Sequence, residues 1–313
     1  MKARTALMAF VIACPSYADL IVTRGTLGVD HYTNDGTLLG TLIAPGTGGL
    51  QDARGVVVSG SGQIYVADFA NDDVLKFSSS GAFQNVFASG TDVDTPLGLD
   101  FGTGGDLFVA SAGPTSNIAR VDKTTGAVLN ASFTSGNATP LGGPQYLKFG
   151  PVLVVTDIAG HVFQFDASTG NWISTGLFDN PQGVAFNAAG DIFVAQRISD
   201  NVVKIPAGGG PSTEVIPNGA FAGSPTDLAF GPDHLLYVLS STAVYRFDVS
   251  GGAGVLIDSF GSGGRFMAFT PSVPEPGTWA MIAVGLAVMI GGFRRRLREW
   301  QRERCGSDHA TAG

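Results

Sequence analysis

Short apolar runs alternate with polar turns along most of the chain. The fullest instance is Pro181 to Ala195, PQGVAFNAAGDIFVA, in which two apolar segments flank a turn carrying Gly190 and Asp191. Such runs have strand length rather than helix length. Their Val, Ile, Phe and Tyr content, with turn residues at both ends, predicts hairpins. Variants of this stretch recur. Aligned on the residue before the first apolar run, they begin at Gly55, Gly98, Tyr146, Gly183, Asp227 and Phe266, at intervals of 43, 48, 37, 44 and 39 residues. A period of about 42 residues with several strands per unit predicts a β-propeller, because one such unit cannot bury both its faces alone.

Within each full unit the grammar is constant. A first strand (Val56 to Val58, Leu99 to Phe101, Val184 to Phe186) carries small and apolar residues, as strands converging on a channel must. The second, Ile64-Tyr65-Val66-Ala67 or Ile192-Phe193-Val194-Ala195, alternates large and small so that both faces pack. A third strand ends in pairs such as Lys76-Phe77 or Arg120-Val121 and leads into turns such as Ser80-Gly81 or Thr125-Gly126. The fourth is the least regular, as an outer strand can be. Before the first full unit, LIVTRGT, VDHYTNDG and TLLGTLIAPG read as strands two to four of a blade whose first strand is missing. That strand is expected at the other end, Arg265 to Thr270, where it closes the ring and removes an open edge. The expectation is an all-β, six-bladed propeller over residues 19–272.

Composition changes the picture at the two ends. Residues 19 to 273 hold 10 Lys or Arg against 22 Asp or Glu, a net of −12, within a chain of formal charge −8. A body this acidic excludes nucleic acid as a partner, since phosphate binding needs clustered cations. Residues 1–18 carry Lys2 and Arg4, an apolar run from Ala6 to Cys14, and Ser16-Tyr17-Ala18, the pattern of a secretory signal peptide cut after Ala18. Cys14 and Cys305 are the only cysteines, so the exported body has no disulfide. Near the C-terminus come Pro274-Glu275-Pro276, an apolar run from Thr278 to Phe293, then Arg294, Arg295 and Arg296. Sixteen helical residues rise about 24 Å, so the run 278–293 is expected to span a bilayer with help from Trp279 and the arginines, leaving the polar tail 297–313 in the cytoplasm.

Two resemblances attach to these residues. Pro-Glu-Pro, a short apolar helix and an arginine cluster, over residues 273 to 296, look like the PEP-CTERM sorting signal. The resemblance implies a Gram-negative host, a membrane-anchored precursor, processing by an exosortase-type transpeptidase near Pro-Glu-Pro, and delivery to the cell surface or beyond. The phrase P-x-G-[LV]-x-F followed by Gly-[Asp or Gln]-[Ile or Leu]-[Tyr or Phe]-Val-Ala, over residues 53 to 260, resembles NHL repeats. That likeness implies architecture and leaves activity open.

Ligands of a propeller are expected at the channel mouth, on the loops entering the first strand and those between strands two and three. Here the candidates are Arg54, Asp68, Asn71, Asp157, Gln182, Arg197 and Asp227, with Asp52, Gln145 and Gln196 nearby. Asp68, Asp157 and Asp227 with neighbouring amides could hold Ca²⁺ through oxygens, although Asp and Asn at strand ends also cap turns. Arg54 and Arg197 could meet an anion or pair with aspartates. No cofactor is expected. Lactonase-like propellers, which this fold resembles, use a channel Glu; the one Glu between residues 19 and 273 is Glu214, placed in an outer strand. His31, His161 and His234 fall in turn or outer-strand contexts, and no metal-ligand spacing or nucleophile elbow occurs. The reading is a non-enzymatic envelope propeller binding an exopolysaccharide, a surface protein or a small ligand. The alternative is a metal-dependent hydrolase or lyase at the channel mouth.

Glu275 is the only acid among the 35 residues from Ser259 to Phe293, held extended between two prolines. In a host with an active exosortase, Glu275→Ala should remain at full precursor size in the membrane fraction. Normal trimming of the variant would refute the sorting role.

Overall fold

The computed structural model describes residues 18–271 except Asn34, Ala138 and 250–253. The signal peptide, the Pro274-Glu275-Pro276 and Arg294-Arg295-Arg296 motif, the apolar run 278–293 and the tail 297–313 lie outside the described residues, Ala18 apart.

Six four-stranded antiparallel sheets form, each ordered first to fourth strand from the axis outward. Blade 1 is the composite one: Met267–Phe269 pairs with Leu20–Thr23, which pairs with Val29–Tyr32 and then Leu38–Ile43. Blades 2 to 6 have as inner strands Ala53–Val58, Pro96–Phe101, Pro144–Phe149, Pro181–Phe186 and Pro225–Phe230. The closing strand is shorter than its sequence suggests, yet its backbone bonding runs the expected length. Arg265 N donates to Thr23 O at 3.0 Å, and Thr270 N donates to Asp19 O at 2.8 Å.

Burial follows position in the blade. Second strands, such as Ile64–Asp68 and Ile192–Gln196, are buried throughout, because both their faces meet neighbouring blades. Outer strands such as Trp172–Leu177 are half exposed. One contact recurs between blades. The last residue of an inner strand packs against an aromatic on the second strand of the preceding blade: Phe101 on Tyr65, Phe149 on Phe108, Phe230 on Phe193 and Phe269 on Tyr237, with ring centroids 4.5 to 5.4 Å apart. At the other two interfaces Phe186 joins Val154, and Val58 joins Ile21, in aliphatic versions of the same cluster. Each aromatic pair adds about 0.5 to 1.5 kcal/mol beyond its area burial. The final Phe of the P-x-G-[LV]-x-F phrase is therefore the inter-blade contact.

A second recurrence staples the loops. Every second strand ends in a buried polar residue: Thr23, Asp68, Ser111, Asp157, Gln196 and Ser240. Each bonds backbone groups of a nearby loop or strand. Asp68 accepts from Gln51 N and Asp52 N at 2.9 Å, and Thr23 Oγ1 accepts from Phe266 N at 3.0 Å. Buried backbone polar groups must find partners, and this position supplies one per blade.

Closure through blade 1 has a direct test. Truncation after Pro271 should preserve cooperative thermal unfolding, whereas truncation after Gly264, which removes Met267–Phe269, should abolish it. Equal melting of the two would show that the ring closes elsewhere.

Candidate ligand site in the central channel

The six inner strands come closest at the residues on which the repeats align. On blades 2, 3 and 5 these are Gly55, Gly98 and Gly183, and each faces the inner strand of the following blade. A Cβ on Gly55 would lie 1.9 Å from Leu97 O, and one on Gly183 would lie 2.4 Å from Asp227 Cα. No side chain fits there. On blades 4, 6 and 1 the same position holds Tyr146, Asp227 and Phe266. Blades 4 and 1 stand opposite each other, so Tyr146 and Phe266 meet across the axis, stacked with centroids 4.3 Å apart at 24°. Tyr146 Oη donates to Arg265 O at 3.1 Å, tying this plate to the closing segment.

Cavities lie on both sides of the plate, and both rings line each of them. At the mouth, where inner strands begin, a cavity of about 740 Å³ is lined by Arg54, Gln145, Gln182, Arg197 and Arg265 among others. Arg54 is matched: its Nε and Nη2 donate to the two Asp52 oxygens at 3.0 and 2.8 Å, and it lies over the Phe69 ring at 4.9 Å. Arg197 is exposed and has no ion pair among the described residues. Arg265 is half-buried, and its Nε is shielded from solvent with no hydrogen-bond partner among the described residues. Burial, then the charge of Arg54, pulls the Arg265 guanidinium below its ordinary pKa, with Arg197 adding to the repulsion. Gln182 Nε2 donates to Gln145 Oε1 and to Asn180 Oδ1, both at 2.6 Å, which orients the amides along the rim.

The other cavity, about 540 Å³, follows the inner strands to their ends. It contains Asp100, Lys148 and Asp227. Lys148 Nζ lies 3.2 Å from Asp100 Oδ1, while Asp100 Oδ2 accepts from Phe149 N at 2.8 Å. Asp100 raises the Lys148 pKa against the opposing effect of desolvation, although the side chain is 44% exposed. Asp227 Oδ1 and Oδ2 accept from Leu228 N and Met267 N, both at 2.8 Å. Burial nevertheless pushes its carboxyl up to about 7.

Sequence candidates are thus divided. Arg54, Gln182 and Arg197 come together at the mouth. Asp68, Asn71 and Asp157, expected beside them, sit behind its wall. Asp68 and Asp157 are fully buried, and their oxygens accept from loop backbone. Asn71 Nδ2 donates to Asp68 Oδ2 and Gly49 O, and His161 Nδ1 faces Asp157 at 3.1 Å. Asp227 belongs to the opposite cavity, so the three aspartates considered for Ca²⁺ do not converge. Among the described residues no group of three His, Cys, Asp or Glu could hold a metal ion. Arg265 and Lys148 escaped the sequence reading. Arg265 looked like part of a closing strand, and Lys148 occupied an otherwise apolar strand, a local break in pattern that was the available signal.

The native carboxyl of Asp227 holds its proton more tightly than the unfolded chain, where the value is near 3.8. Its contribution to stability is therefore full below that value and is lost as pH rises through about 7. Melting of the parent protein should fall between about pH 4 and pH 7 relative to that of Asp227→Asn. Parallel pH profiles for the two proteins would refute this.

Comparison with known proteins agrees with the architecture. The PEP-CTERM protein-sorting motif matches residues 272–296. No curated protein sequence matches the chain. Among solved structures, one from a nidogen/laminin complex is similar over 82% of this chain and 99% of its own, at 14% identity and a TM-score of 0.64. A gluconolactonase from Xanthomonas campestris is similar over 86% and 97%, at 15% identity and a TM-score of 0.60. A catalytically inactive virginiamycin B lyase from Staphylococcus aureus, solved with quinupristin, is similar over 85% and 95%, at 14% identity and a TM-score of 0.57. At such identities the likeness is one of fold, and it spans a binding complex, a lactonase and a lyase. The chain is a six-bladed β-propeller followed by a PEP-CTERM sorting motif, the mark of a bacterial protein exported and sorted to the cell envelope.

Proposed function

We propose that this envelope propeller works by binding, and that its mouth takes up an anionic ligand. One observation carries the reading. Between residues 19 and 273, with a net charge of −12, three of the 10 cations line one cavity, and among the described residues only Arg54 of the three has an ion pair. Guanidiniums without a carboxylate partner suit an oxyanion, which their planar N–H forks bind through paired hydrogen bonds. Asp52 pairs with Arg54. Among the described residues no carboxylate or histidine lines the mouth, so the groups that most often serve hydrolysis or elimination as acid or base are not in that cavity, which favours binding over catalysis.

Delivery follows from the ends of the chain. The signal peptide 1–18 directs export, the run 278–293 holds the precursor in the inner membrane of a Gram-negative cell, and an exosortase-type transpeptidase releases it. Its ligand is then an acidic exopolysaccharide, a surface protein presenting carboxylates, or a small anion. A metal-dependent hydrolase or lyase is the competing class, and it draws support from fold likeness alone.

Calorimetric titration of the full-length chain with a polyuronate and with neutral dextran tests the binding reading. The polyuronate should bind, more weakly as salt rises, and Arg197→Ala should reduce its affinity about tenfold. Equal binding of the neutral polymer, or no effect of Arg197→Ala, would refute it.

A further inference from the structure

The mouth cavity has two unlike sides. The two of its cations that have no ion pair among the described residues lie on one arc with two hydroxyls: Arg197 on blade 5, Ser224 and Ser241 on blade 6, and Arg265 on blade 1. The two seryl hydroxyls stand between the arginines and make no side-chain hydrogen bond among the described residues. Facing them across blades 2 to 4, beside the Asp52-paired Arg54 and the amide of Gln145, is a mainly apolar wall that includes Phe69, Leu97, Pro114 and Ile158. Ile158 is 58% exposed at the tip of its loop, an apolar side chain turned out beside a charged cavity.

Charge counting narrows the ligand. Arg54 is cancelled by the bidentate Asp52, whereas Arg197 and Arg265 have no carboxylate within ion-pair distance among the described residues. Two uncancelled guanidiniums on one arc match two negative charges on one group, and planar N–H forks suit oxyanions. A bare oxyanion would leave the apolar arc wet. A cavity of about 740 Å³ lies in the range of sites for whole small molecules, where apolar walls hold the body and a few polar groups orient it.

Resting on the anion-binding reading of the mouth, we infer that its ligand is an amphiphile, with a dianionic head on the arc of blades 5, 6 and 1 and an apolar body against blades 2 to 4. A phosphate monoester and a dicarboxylate share this chemistry. The Tyr146–Phe266 plate sets the floor, so the body lies along the mouth rather than down the channel.

Titration of the full-length chain with four probes decides the matter: naphthyl phosphate, naphthalene dicarboxylate, naphthalene sulfonate and inorganic phosphate. One of the two apolar dianions should bind about tenfold or more tighter than both the apolar monoanion and inorganic phosphate, and the tighter of them identifies the head group. Arg197→Gln and Arg265→Gln should each weaken it about tenfold. Ile158→Asn, at an exposed site, should weaken the naphthyl ligands and leave inorganic phosphate unchanged. If the sulfonate binds as well as the dianions, or Ile158→Asn has no effect, the amphiphilic dianion is overturned while the anion-binding mouth stands. Should none of the anions bind, or both arginine variants leave every affinity unchanged, the mouth reading falls with it.

Discussion

Crowding of six inner strands around one axis is the constraint on which the rest of this protein depends. At the waist, backbone from the next blade comes so near that Gly55, Gly98 and Gly183 leave no space for a Cβ. The three remaining positions resolve the same crowding in other ways. Asp227 folds its carboxylate onto the N–H groups of Leu228 and Met267, and Tyr146 and Phe266 reach across the axis and stack. From that stack follow the two separate cavities and, through the Tyr146 Oη bond to the Arg265 carbonyl, the anchoring of Arg265 at the mouth.

Ring closure and mouth chemistry consequently share a segment. Arg265 and Phe266 immediately precede the strand Met267–Phe269 that completes blade 1, and Thr23 makes backbone bonds with both and hydroxyl bonds with Phe266. Asp19 and Thr270 bond each other reciprocally, which fastens the two ends of the ring together. The sorting motif starts at residue 272, after these contacts are complete. Its processing chemistry and the folding of the body therefore occupy different stretches of sequence.

Electrostatics also separates structure from recognition. Most aspartates in the body have structural partners: Asp68 and Asp157 staple loops, Asp166 caps a turn and is held down to about 2 by its hydrogen bonds to Ser168 and Thr169, and Asp106 pairs with Arg120. The acidic excess is thus a property of turns and strand ends. Against it, Arg197 and Arg265 stand at one cavity without an ion pair among the described residues.

The sequence by itself determined the architecture, because alternation and a repeat of about 42 residues are local facts that only stacked blades satisfy. It also determined the closing segment, since three orphan strands at one end required a fourth at the other, and it determined the sorting motif, a contiguous signal read without folding. Only the tertiary structure decided which candidate faces the channel. A strand-end Asp and a mouth Arg occupy similar places in the repeat, and whether each points at a loop N–H or at the cavity depends on backbone from an adjacent blade. Asp68 and Asp157 turned inward to buried donors, while Asp227 fell below the plate. Arg265 became part of the mouth because closure brings residue 265 beside residues 54 and 197, a juxtaposition that no local pattern encodes.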